Sequence, residues 1–109
     1  NFDGTKDTTG ATSTANTNRL IRASGNVTSV LRNGVGDYTV TFTTAMPDGN
    51  YSIALSASGV YNGTVFCTDG SSDLAPNPRT SSSIRFGTRG GASSGAASDP
   101  AYVNVAIFR

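Results

Sequence analysis

Short runs of alternating apolar and polar residues, separated by Gly, Asn, Asp and Pro, set the pattern of this chain. Asp37 to Thr44 is the clearest: Tyr38, Val40 and Phe42 share one face, and Thr39, Thr41 and Thr43 the other, as the two-residue period of a strand requires. Asn50 to Ser58 repeats the pattern, with Tyr51, Ile53, Leu55 and Ala57 inward and Ser52, Ser56 and Ser58 outward. Leu20 to Ser24, Val27 to Arg32, Thr64 to Thr68 and Thr80 to Phe86 are further strands, the last with Ile84 and Phe86 on one face. Tyr102 to Phe108 is apolar on both faces apart from Asn104, which places it centrally or against another subunit. The turns are chemically marked. Asn33-Gly34-Val35-Gly36 is a hairpin signal, and in Pro47-Asp48-Gly49 the proline presets φ while the glycine accepts positive φ. Seven short antiparallel strands predict an all-β fold, a small sandwich over residues 19–109.

Residues 1–18 have little apolar content beyond Phe2 and read as an N-terminal leader or linker. The stretches 69–79 and 87–100 are long for connections in a small domain. The second, rich in Gly, Ala and Ser, reads as a flexible connector, while the first carries Asp69, Asp73, Asn77 and Arg79 stiffened by Pro76 and Pro78. If consecutive strands alternate in direction, the turns at 25–26, 45–49 and 69–79 gather at one end. Those at 33–36, 59–63 and 87–100 gather at the other. A domain mounted through its N-terminus would then point 69–79 away from the mount.

Composition narrows the chemistry. The 109 residues hold no His, Glu or Trp, one Cys and one Met. A Ser–His–Asp triad lacks its base, and one Cys without His cannot complete a tetrahedral zinc shell. Cys67, within an apolar run, reads as a buried structural thiol. No catalytic residue, cofactor or metal is expected, and Asp69-Gly70-Ser71-Ser72-Asp73 lacks the spacing and terminal Glu of a calcium loop. The net charge of +1 and the lack of Lys/Arg clusters argue against nucleic acid. No apolar run approaches the ~18 residues of a membrane helix. Leu, Ile, Val and Phe total only 21, near the ~20% line below which a core becomes marginal. Association with further copies would supplement it.

Candidate contact residues follow from side-chain chemistry. Tyr61, between Val60 and Asn62, offers an aromatic face on which a sugar ring can stack. Asp69, Asp73, Asn77 and Arg79 supply polar groups on the first long loop.

Several strings resemble a C-terminal module of bacteriophage tail-fibre and other virion proteins. They are Asn1-Phe2-Asp3-Gly4-Thr5, Ile21 to Val27, and Asn33-Gly34-Val35-Gly36-Asp37-Tyr38-Thr39-Val40 running on to Tyr51. The closing Val103-Asn104-Val105-Ala106-Ile107-Phe108 is similar to that module's chain end. The resemblance implies a β-sandwich, architecturally like the H-type lectins, in a homotrimeric fibre exposed on the virion. It also implies contact with other virion proteins and attachment to a bacterial surface glycan or protein. The segment from Lys6 to Arg19 is longer than usual for the module, and loops 59–79 and 87–100 lie outside the resemblance. A structural virion protein without a receptor role, decorating a capsid or joining tail parts, is the alternative.

Overall fold

The computed structural model describes residues 1–59, 65–68 (backbone only), 79–90 and 95–109. All seven expected strands are present, and an eighth precedes them. In chain order they are β1 (Phe2–Asp7), β2 (Arg19–Ile21), β3 (Val27–Gly34), β4 (Asp37–Phe42), β5 (Ser52–Ser58), β6 (Val65–Thr68), β7 (Ser83–Gly90) and β8 (Tyr102–Phe108). They form two four-stranded antiparallel sheets, ordered β2-β1-β8-β5 and β3-β4-β7-β6.

Alternation decides what lies between the sheets. Tyr38, Val40 and Phe42 of β4 are buried, as are Ile84 and Phe86 of β7, Val30 of β3 and Val103 of β8. Phe2, Tyr38 and Phe86 form an aromatic cluster with centroids 5.0 to 6.4 Å apart. Phe42 meets the buried Tyr51 edge-on at 5.8 Å. Offset and edge contacts of this kind add to the area such rings bury. Ile53, Leu55, Ala57, Val105 and Ile107 also face inward but are only partly covered.

The expected leader at 1–18 is corrected by β1, which lies between β2 and β8 with Phe2 2% exposed. One large apolar residue suffices here because the strand's own backbone completes the sheet. Gly4 passes so close to Tyr38 that a Cβ would lie 2.5 Å from its hydroxyl oxygen. Residues 13–16 are held by arginines: Arg19 donates to the carbonyls of Ser13 (3.0 Å) and Ala15, and Arg32 to the Thr14 carbonyl (2.8 Å).

The alternation of ends holds for the described turns. Thr43, Met46 and Tyr51 hydrogen-bond to Asn26, Ser81 and Arg79 at one end, and Gly36, Thr88 and Ser98 meet at the other. The mount is different. Because β1 is antiparallel to β2, Asn1 lies beside Ala23, its amino group donating to the Ala23 carbonyl at 2.8 Å. A mount attached at Asn1 would therefore stand at the Arg79 end, not opposite it. The added strand reverses the parity on which the expected direction rested.

Candidate functional site

Two parts of the surface carry organised side chains. The first closes the sandwich at the β3–β4 turn. That turn is tight: Gly36 has φ 63°, and a Cβ there would lie 2.3 Å from the Thr88 carbonyl oxygen. Its N–H donates to an Asp99 carboxylate oxygen at 2.8 Å, and the Tyr38 hydroxyl donates to the same oxygen at 2.6 Å. Arg32 binds the other oxygen through Nε and Nη2, both at 2.9 Å. Burial alone would raise the Asp99 carboxyl, but hydrogen bonds from Arg32, Tyr38 and Gly36 outweigh it and hold it below the ordinary range. Burial, then the Asp99 carboxylate, pushes the Tyr38 phenol well above its ordinary value. Every ionised group in this knot has a partner, so it locks structure and offers no poised acid or base.

This knot corrects the reading of 87–100 as a flexible connector, as far as that segment is described. Residues 87–90 belong to β7. Ala97 pairs with Arg89, Ser98 donates its N–H to Thr88, and the Thr88 hydroxyl donates to the Ser98 carbonyl at 2.6 Å. The lone acid Asp99, ahead of Pro100 in a run of small residues, was the available signal.

The second region is the outer face of β5 and β8. Cross-strand partners there are Ser52 and Phe108, Ala54 and Ala106, Ser56 and Asn104, and Ser58 and Tyr102. All are exposed, with Tyr102 at 50% and Phe108 at 60%. The result is a floor of Ser and Ala between two aromatic side chains. Arg22 lies 4.3 Å from the centre of the Tyr102 ring and pairs with Asp3, fixing the ring by a cation–π contact. Asn1 donates to the Asn104 side chain at 2.6 Å, and Asn104 donates to the Ser56 hydroxyl at 3.3 Å. The strand is internal to its sheet, as one arm of the expectation has it, and its even-numbered face is exposed on the single chain. That face was legible as the even-numbered residues of 102–108; its Ser and Ala floor needed the β5 register.

The other outer surface is polar. Arg85 grips Asp37 through both oxygens, at 2.9 and 2.5 Å. Asn33 bridges Asp37 (3.1 Å) and Thr39 (2.9 Å). The threonine face of β4 is half-buried at Thr39 and Thr41 beneath this polar layer.

Of the expected contact residues, Tyr61, Asp69, Asp73 and Asn77 lie outside the described residues, as does the side chain of Cys67. Arg79 is half-buried and donates to the Tyr51 carbonyl at 3.0 Å, which ties the chain after the first long loop to β5. No group of three acidic or Cys side chains suited to a metal ion occurs among the described residues. No protein family, known curated protein or solved structure matches the chain.

Proposed function

We propose that the chain is a non-enzymatic tip domain of a phage tail fibre or spike. It assembles as a homotrimer exposed on the virion and attaches to a host surface glycan or protein. The fibre assignment rests on the sequence blocks from Asn33 to Tyr51 and from Val103 to Phe108. The observation that carries the association is the outer face of β5 and β8, where Tyr102 and Phe108 are exposed above Ser and Ala. Small side chains let another chain approach closely, and the flanking aromatics supply area to bury. Three linked copies multiply weak contacts through avidity, with Tyr61, Asp69, Asp73, Asn77 and Arg79 as contact residues.

Sedimentation at low micromolar concentration tests the assembly. A trimer is expected for the native chain and smaller species for Phe108→Ser combined with Tyr102→Ser; a monomeric native chain sinks the reading. Attachment is tested by host-cell adsorption of the chain with Tyr61→Ala, Asp69→Ala and Asp73→Ala. Adsorption should fall while the melting temperature holds, and unchanged adsorption would move the contact surface elsewhere.

The position of Asn1 favours a second reading for loop 69–79. Arg79 and Asn1 stand toward the same end of the sandwich, so a domain mounted through Asn1 would bring Arg79 toward its mount. In that arrangement the loop packs against neighbouring virion protein, as in a structural component without a receptor role. Adsorption that survives the triple substitution while virion assembly fails would select this reading.

A further inference from the structure

Strand β8 has unequal neighbours. Along one side β5 pairs with it from Ser52 opposite Phe108 to Ser58 opposite Tyr102. Along the other, β1 pairs at Phe2 opposite Val103, and the Asn1 side chain reaches Asn104 at 2.6 Å. From Val105 to Phe108 no described strand lies on that side. An unpaired stretch of backbone inside a sheet is a template for another strand.

The gap has an apolar floor and a second wall. A cavity of about 260 Å³ opens there, lined by Asn26, Val27, Phe42, Met46, Val105 and Ile107. A smaller one of about 70 Å³ adjoins it and reaches Asn1, Phe2, Ala23 and Val105. The opposite wall is the chain after β2, which already bonds to Asn1: Arg22 and Ala23 donate their N–H groups to the Asn1 carbonyl, and the Asn1 amino group donates to the Ala23 carbonyl. The ladder between β1 and β2 therefore runs into the gap, and the line of β1 points along it.

We infer that this slot is the seat of an extended strand that continues β1 on the amino side of Asn1, between residues 22–25 and the free edge of β8. Register fixes which of its side chains enter the cavity. With Phe2 opposite Val103, the residue joined to Asn1 falls opposite Val105, and the one two places earlier opposite Ile107. Both partners face inward, so the first and third residues ahead of Asn1 are the ones that should be apolar. Strand addition of this kind takes its affinity from main-chain hydrogen bonds and its specificity from alternate side-chain pockets. The inference stands on sheet geometry alone and is independent of the receptor reading.

The test is a pair of extensions with one composition and opposite phase, Thr-Val-Thr-Val and Val-Thr-Val-Thr, each fused ahead of Asn1 of the full chain. The first places valines opposite Val105 and Ile107; the second turns them to solvent. The in-phase chain should melt on the order of 5–10 °C above the out-of-phase chain, with slower amide exchange along Val105 to Phe108. Equal melting temperatures and equal exchange would overturn the inference. So would stabilisation by the free Thr-Val-Thr-Val peptide that its fused form does not reproduce, since the occupant would then be a separate chain. Ile107→Asp in the in-phase chain should remove the gain; if that variant does not fold, Val105→Thr serves the same purpose.

Discussion

The two ends of the sandwich are finished differently. At the β3–β4 end, Asp99 collects Arg32, Tyr38 and the Gly36 N–H into one buried knot, and Arg32 reaches on to Thr14 and Asn16. At the end of Asn26 and Met46 the sheets part over an apolar cavity, with Val105 and Ile107 only partly covered. Both ends belong to the same pair of sheets, so strand pattern alone does not set the difference. A buried polar network needs every member satisfied and therefore fixes one geometry, whereas an apolar mouth accepts more than one neighbour. Among the described residues, one end is closed by its own side chains and the other leaves an apolar mouth open.

Asp99→Ala should separate the ends most strongly. It leaves the Arg32 side chain, 4% exposed, without its carboxylate, at a cost of about 3 kcal/mol in denaturant unfolding. A loss within the ~0.5 kcal/mol typical of surface substitutions would dissolve the distinction.

The pH dependence probes the same knot without mutation. Asp99 titrates below its unfolded value, so its contribution is complete above pH ~4 and is lost as pH falls through the depressed native value. Tyr38 is shifted upward, so its contribution is complete below its ordinary value of 10.0 and fades as pH rises beyond it. Unfolding titrations should show both flanks. Asp99→Asn should flatten the acid flank, and Tyr38→Phe the alkaline one; unchanged slopes would place the linkage in other groups.

Tyr38→Phe keeps the ring in the core and removes one donor to Asp99, for a cost of about 1–2 kcal/mol. Combined with Asp99→Ala it should cost less than the sum, because both remove the same contact. At the open end Ile107→Ala should cost only about 1 kcal/mol, since a half-covered side chain has less area to return to water. An Ile107 loss equal to that of Asp99 would mean the mouth is closed in solution. Smallest of all, Phe108→Ser should leave unfolding of the isolated chain within about 0.5 kcal/mol and act only on association, read by sedimentation.

Much of the fold was legible because burial follows local alternation. Tyr38, Val40, Phe42, Ile84 and Phe86 were placed on inner faces from their spacing, and each is buried. β1 was missed for a physical reason. Phe2-Asp3-Gly4-Thr5-Lys6-Asp7 has one strong apolar residue, and its place comes from neighbours far along the chain: Ile21 and Val103 beside Phe2, Tyr38 against Gly4. Missing it also reversed the expected side of the mount. The knot at Asp99 was illegible in the same way, since its partners Arg32, Gly36 and Tyr38 lie more than sixty residues away in sequence. No local pattern encodes such a pairing.

The sequence by itself determined that this chain is all-β, which residues point inward, and that its catalytic repertoire lacks histidine and glutamate. These follow from side-chain type and two-residue periodicity, both local properties. Only the tertiary structure decided which end is closed, that β8 stands inside its sheet with an uncovered outer face, and that a gap follows Asn1 along β8. Those depend on which strands become neighbours, a choice made by long-range pairing and packing and not by any one segment. Among the described residues the thin apolar stock acquires a location: it is concentrated at the aromatic cluster around Phe2, while Ile107 beside the mouth is only partly covered.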